Sequence, residues 1–243
     1  MRTETPGGHS PRAKSKRARI PALLTELESF YGKQEPWWPT DPYHFLVWWH
    51  SGYPASDATC AKGWNALNQE IGVEPQQLLA ASPSKLAKAL RAGGMVPDVR
   101  ARRLQDIAAR VTDEFDSDLA AALAGPAGRA RKILKTFPGI ADPGADRILL
   151  WSGIAAVAAD PSNCPHVLVR IRRGPEGDDY GGTYREAQEA IEAEVPETFD
   201  ARQRAYLLLK RHGQEVCKRT KPKCPECPVS AACAFFAGSR RVQ

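Results

Sequence analysis

Residues 217–233, CKRTKPKCPECPVSAAC, carry four of the chain's six cysteines in the spacing C-x6-C-x2-C-x5-C. Four thiols this close in sequence point to a metal. A disulfide reading needs an oxidising compartment, and the amino-terminal MRTETPGGHSPRAKSKRAR has no apolar run to serve as a secretory signal. The expectation is an intracellular setting, cytoplasmic in a bacterium or nuclear in a eukaryote. Four cysteines can hold either a tetrahedral zinc ion or an iron–sulfur cluster. Zinc sites usually pair two C-x2-C knuckles across a longer gap. Here one knuckle, Cys224 and Cys227, is flanked by single cysteines, Cys217 and Cys233, and one compact loop of this kind fits a cuboidal iron–sulfur cluster better. Cys60 and Cys164 stand alone and read as small buried hydrophobes.

The 243 residues allow one large domain or two modest ones with ample core. No apolar stretch approaches the length needed to cross a bilayer. The net charge of +6 is unevenly placed: residues 1–20 hold six Lys and Arg against one Glu, residues 217–243 hold six against Glu226 alone, and the middle stands at −4. Lys218, Arg219, Lys221 and Lys223 therefore surround the cysteines with positive charge. Such a patch suits a polyanion, because each phosphate neutralised releases condensed counterions. The partner implied is nucleic acid. Residues 1–20, where Pro, Gly, Ser and basic residues alternate without periodic hydrophobes, read as a solvated disordered tail, a reading compatible with the same partner.

Helix signals then recur every ten to fifteen residues, and no stretch alternates with the period of a strand. Pro21 opens an amphipathic helix that stops near Gly32. Asp41 and Pro42 make an N-cap and first-turn pair for YHFLVWWHSG, which is apolar nearly all round and predicts a central position in a core. Ser56 or Asp57 caps a helix with Cys60, Trp64 and Leu67 on one face, and Ser82-Pro83 starts SKLAKALRA, ended by Gly93-Gly94. VRARRLQDIAARV, DLAAALAG and PAGRARKILKTF follow. The fold class expected is all-α.

The stretch LKTFPGIADPGADRILLWSG, residues 134–153, reads as helix, tight Pro-Gly turn, helix. Turn amides and the start of the second helix point N–H groups outward, and the helix dipole favours an anion there. Pro138, Gly139, Ile140 and Ala141 are the candidate phosphate contacts.

The order and spacing of the cysteine loop, joined to this hairpin, resemble the endonuclease III and MutY class of DNA repair enzymes, the helix-hairpin-helix glycosylase superfamily. LLAASPSKLAKALRAGGMVPDVRARRLQDIAARV resembles the middle of the six-helix domain in that superfamily and HFLVWWHSGYPASDATCAKGWNAL the segment before it, so the likeness runs from about Asp41 to Cys233. The resemblance implies a six-helix domain over residues 42–151, an iron–sulfur domain from 21–41 with 152–243, and double-stranded DNA across the cleft between them. It also implies a [4Fe-4S] cluster on Cys217, Cys224, Cys227 and Cys233, structural in role because no G-x-G-x-x-G fingerprint accompanies it. Nothing resembles a heptad seam, and a monomer is expected.

Base excision breaks the bond between a sugar carbon and a base after the nucleotide is flipped out of the duplex. Positive charge builds on the sugar as the base leaves, so a carboxylate beneath it stabilises the transition state and can orient a water. An amine could instead attack the sugar carbon and lead to strand cleavage. The family's lysine position is Pro143 here, which implies that the lyase route is absent. The family's second hairpin glycine is Ala141, a residue that resists a positive φ. The family's aspartate position falls on Pro161, with Asp160 immediately before it in AADPSNCPHVLVRI. Two readings follow: a local backbone shift aims Asp160 into the cleft as the catalytic carboxylate, or Asp160 is an exposed loop or capping residue while Ser162 or Asn163 caps the next helix. Asp142 and Asp146 read as a turn residue and a solvated helix position. In place of the family's polar pair after the first apolar helix stands Gly52-Tyr53-Pro54, where Tyr53 either stacks on a base or joins the core. His50 reads as a packed structural imidazole.

Three functions remain open on the sequence. The first is a monofunctional DNA glycosylase removing a damaged or mismatched base, the second a catalytically silent DNA-binding relative, and the third an iron–sulfur module for protein interaction.

Overall fold

The computed structural model describes residues 19–53 and 55–239; residues 1–18, Pro54 and 240–243, with most of the expected tail, lie outside the described residues. Within them the regular structure is helical, without strands: α1 Ile20–Tyr31, α2 Pro42–His50, α3 Asp57–Glu70, α4 Pro75–Ala80, α5 Pro83–Leu90, α6 Pro97–Phe115, α7 Leu119–Leu123, α8 Ala127–Leu134, α9 Asp142–Trp151, α10 His166–Arg172, α11 Tyr180–Glu194, α12 Phe199–Glu215 and α13 Ala234–Ser239. No helix among the described residues is long and apolar enough to cross a membrane.

Local chemistry sets the boundaries. The Asp41 carboxylate accepts the His44 N–H at 2.8 Å ahead of Pro42, and Ser56 and Ser82 accept N–H groups of Thr59 and Lys85 in the same way. Gly32 ends α1 with φ 72°, a value that favours glycine. Ser56, not Asp57, is the cap of α3, which frees the Asp57 carboxylate for another task.

Two hydrophobic cores follow. The first is built on α2, which buries every residue but His44, against α3 to α9; Phe45, Leu46, Trp48, Leu67, Leu86 and Leu104 are essentially fully buried there. Burying each such side chain contributes roughly 1.5–3 kcal/mol. The second joins Ile20, Leu23, Leu24 and Leu27 of α1 to Val167, Leu168, Ile191, Leu208 and Leu209 of α10 to α12, with Val229 and Cys233 at its edge. Trp38 packs into the first core beside Trp48 and Trp151, as does Tyr206 from α12. Cys60 and Cys164 are buried, as their isolation in sequence suggests.

A buried ionic group ties the two cores together. Asp57 of α3 pairs with Arg147 of α9 at 3.0 Å and with Lys210 of α12 at 2.6 Å. The Arg147 guanidinium lies 4.2 Å from the Trp38 ring centroid, which stabilises a cation shielded from water. Burial works against the Asp57 charge, but Arg147 and Lys210 together hold its carboxyl below the usual carboxylate range.

Candidate functional site

The hairpin between α8 and α9 is a rigid piece. Phe137 and Ile140 are buried in the first core, and Arg110 of α6 lies 4.5 Å over the Phe137 ring while donating to the Thr136 carbonyl at 3.0 Å. Between these anchors Pro138 is half-buried and Gly139 is exposed with φ 66°. A Cβ there would meet only the His50 ring at 3.5 Å and Tyr53 at 3.9 Å, so the backbone angle rather than space asks for glycine. Ala141 adopts φ −106°, ψ −175°. That is extended backbone, open to any residue, so the turn forms without the family's second glycine. Pro143 lies in the first turn of α9, where its missing N–H is no loss.

Behind the turn stands α2's carboxy-terminal end. His50 is fully buried against Pro138, whose carbonyl approaches the ring without full hydrogen-bond geometry; burial pushes the imidazole down to about 4, so it is neutral. Tyr53 is half-buried, stacked on Trp49 with centroids 4.8 Å and planes 20° apart. The structure thus brings Tyr53 and Gly139 together at one surface, with one face of Tyr53 committed to Trp49.

A second feature is one that spacing alone does not disclose. Met95 and Val96 are 77% and 53% exposed, and Val96 has φ 50°, a left-handed value that a β-branched residue seldom adopts. The fully buried Arg100 holds this turn: its Nε donates to Met95 O at 2.9 Å, and its other nitrogens donate to the carbonyls of Leu90, Gly94 and Ser51. An apolar pair presented outward by a built scaffold suits insertion between bases. The signal in the sequence is the Gly93-Gly94 pair followed by two apolar residues, which reads equally well as a plain helix stop.

Asp160 lies on the Ser152–Pro165 segment that links the cores. It is 1% exposed, and neither carboxyl oxygen meets a donor among the described residues. Burial raises its pKa well above the usual carboxylate value, because the charged form loses its water. It is neither an exposed loop residue nor a cap. Neither Ser162 nor Asn163 caps the next helix, which begins at His166 after Pro165. Asp146 is also corrected: it is buried, accepting from Arg131 at 2.6 Å, Tyr184 at 3.0 Å and Gln188 at 2.9 Å. Asp142 stays exposed and pairs with Lys135 at 2.6 Å, which offsets its repulsion of phosphate at the hairpin. Beside Asp142, Pro143 and Asp146 a groove of about 610 Å³ runs to Tyr180 and Tyr184 of α11.

The four cysteines of the carboxy-terminal loop line one small apolar cavity with Ile171, Val216, Phe235 and Phe236. Among the described residues no three His, Cys, Asp or Glu side chains are gathered tightly enough to hold a single ion. The thiols instead stand around a common space, each of Cys217, Cys227 and Cys233 sensing the charge of at least one of the others. Burial pushes the Cys217 and Cys227 thiols up to about 12 and about 11, a cost that a bound cation removes by taking thiolates. The donor set fits a cluster. Polar pins hold the loop from outside: Arg170 donates to Lys218 O at 2.9 Å and Arg219 O at 3.1 Å while its guanidinium pairs with Glu176, and His166 Nε2 lies 2.7 Å from Cys217 O. Lys218, Arg219, Lys221 and Lys223 all face solvent, Lys221 with φ 53°. Lys223 has Glu226 at 3.5 Å.

The all-helical chain, with its two cores, Pro-Gly hairpin and four-cysteine loop, is similar to endonuclease III and to DNA glycosylases of known structure. Over 181 residues the chain is 25% identical to endonuclease III of Treponema pallidum (strain Nichols), covering 74% of this chain and 77% of that protein. A non-covalent endonuclease III–DNA complex superposes with TM-score 0.72 at 19% identity, covering 91% of this chain and 97% of that one. A thermostable thymine-DNA glycosylase gives 0.69 at 18% identity, over 90% and 97%. At these identities the solved structures establish the fold. No family model matches the chain.

Proposed function

We propose that this protein is a base-excision DNA glycosylase of the monofunctional type, acting as a monomer on duplex DNA that carries a damaged or mismatched base. The placement of Asp160 carries the reading: a carboxyl with no hydrogen-bond partner among the described residues sits on the segment after the hairpin's second helix, where the two cores meet. A carboxylate in that place stabilises the positive charge that grows on the sugar as the base departs, and orients the water that completes hydrolysis. Pro138 to Ala141 and the start of α9 take a phosphate on one side, and Lys218, Arg219, Lys221 and Lys223 take phosphates on the other. Met95 and Val96 enter the stack, and Tyr53 backs the space from which the base is drawn. With Pro143 at the lyase lysine's position, no amine stands there to attack the sugar, and the abasic strand is released intact. Cys217, Cys224, Cys227 and Cys233 hold a [4Fe-4S] cluster, which gives the loop a fixed shape when bound.

The test is single-turnover base release from duplexes carrying uracil, thymine mismatches, alkylated purines, oxidised bases or adenine opposite oxidised guanine. Each product is read with and without alkali. Release that needs alkali for strand breakage and falls by about 10²-fold or more in Asp160→Asn supports the reading. No release on any duplex, with tight DNA binding intact, overturns it. That result favours a silent DNA-binding relative, the alternative to which the burial of Asp160 lends weight.

A further inference from the structure

We propose that Tyr180 is a side-chain cover over Asp160, which has to turn aside before that carboxyl can meet a nucleotide. The inference rests on the role given to Asp160 above and deepens it. Cys164, Tyr180, Tyr184 and Tyr206 all lie within electrostatic reach of Asp160. Cys164, Tyr184 and Tyr206 are buried at 1–3% exposure, whereas Tyr180 is 42% exposed. Of these four, Tyr180 alone has a largely solvent-facing ring, and its hydroxyl reaches across the Asp160 loop to the Ser162 carbonyl.

The ring is fastened in a way that suits motion. Its hydroxyl donates to the Ser162 carbonyl at 2.9 Å, across the loop that contains Asp160. One face stacks on Tyr184, with centroids 6.5 Å and planes 17° apart. Tyr180 is also the first residue of α11, and the helix start is held independently of its side chain: the Asp179 carboxylate accepts from Gly181 N at 3.0 Å and Gly182 N at 2.8 Å. A rotation about the side-chain bonds therefore breaks one hydrogen bond and one stack and leaves the helix in place. The groove beside Pro143 and Asp146 already borders Tyr180 and can receive the displaced ring.

The position relative to the other candidate residues agrees. Tyr180 lies within electrostatic reach of both Tyr53 and Arg219 of the cysteine loop. A buried carboxyl lacking any donor is a costly arrangement for a structural residue. It is an intelligible one for a group kept dry until substrate displaces its cover.

The experiment is carboxyl labelling of the full, cluster-loaded chain with a water-soluble carbodiimide and glycine ethyl ester, read by peptide mapping at Asp160. In the native protein Asp160 should label far more slowly than exposed Asp142. Tyr180→Ala should raise labelling at Asp160 by more than about tenfold, and Tyr180→Phe by about fivefold, the population shift expected from losing one net hydrogen bond. Asp142 labelling and circular dichroism should stay unchanged in both. Equal Asp160 labelling in the native protein and in Tyr180→Ala overturns the cover. If Tyr180→Ala unfolds, the Tyr180→Phe result decides in the same way. Failure of the functional reading is distinguishable: labelling controlled by Tyr180 with no base released leaves the cover standing and removes the glycosylase, whereas release that depends on Asp160 with labelling indifferent to Tyr180 does the reverse.

Discussion

The hairpin and the cysteine loop present N–H-rich and positive surfaces, yet they are held by different physics. The hairpin is fixed from below by hydrophobic burial, with Phe137, Ile140, Ala145 and Ile148 all in the first core. The loop from Cys217 to Cys233 buries only Val229 and Cys233 fully, and its remaining order comes from Arg170, His166 and whatever its four thiols hold. One element is a product of the fold. The other, on the proposed reading, is a product of its ligand.

The largest expected effect follows from that contrast. Cys227→Ser should abolish the visible absorption of the cluster and open residues 217–233 to protease, while α2 to α9 resist digestion as before, because a metal-organised loop has little core of its own. A variant that keeps both the spectrum and the loop's resistance would end the cluster assignment. Phe137→Ala tests the other side. It removes a buried ring from under the hairpin and should lower unfolding stability by about 3–5 kcal/mol in denaturant titration, with the cluster absorption retained up to the unfolding transition. Loss of absorption ahead of unfolding would mean that the two elements share their support.

Local chemistry explains what the sequence disclosed. The caps at Asp41, Ser56 and Ser82, the apolar helix α2, the Pro-Gly turn and the cysteine spacing all lie within a few residues, and spacing reports such features directly. Asp146 looks solvated in sequence because its partners Arg131, Tyr184 and Gln188 come from α8 and α11, beyond the reach of any local pattern. Arg100 sits in the basic run VRARR and looks like surface charge, but it is fully buried on four carbonyls. Asp160 was legible as a candidate and illegible as a buried one, since its environment is assembled from α11, α12 and the linking segment. Tyr180 had only a faint signal, an aromatic residue directly after an Asp cap.

A smaller effect separates the two surfaces as DNA-binding elements. Neutral replacements at Lys218, Arg219, Lys221 and Lys223 should weaken binding to every duplex sequence and flatten the salt dependence by roughly 0.9 in log–log slope for each phosphate no longer neutralised. Lys223 should contribute least, because Glu226 already stands 3.5 Å from it. On the proposed reading the hairpin binds through backbone N–H groups, so no side-chain change there should alter the slope by as much. An unchanged slope in the fourfold variant would remove the loop from the interface.

The smallest effect is on acid stability, and it treats the two elements alike. Each is backed by a buried neutral histidine: His50 behind the hairpin, and His212 behind the loop, where its ring meets the Tyr31 hydroxyl at 3.0 Å and Cys227 Sγ at 3.6 Å. Burial lowers both imidazoles to about 4. In the unfolded chain they titrate near the ordinary histidine value of about 6.5, so the unfolded state takes up protons first as the medium is acidified. The stability these two rings confer is therefore complete above about pH 6.5 and is lost as the pH falls through that value toward about 4. His50→Gln should flatten this acid limb for hydrogen exchange at the hairpin amides and leave it in place for the amides of α12. An acid limb at the hairpin that is unchanged by His50→Gln would show that some other group carries the proton there, and would separate the hairpin from the loop in the one respect where their construction is the same.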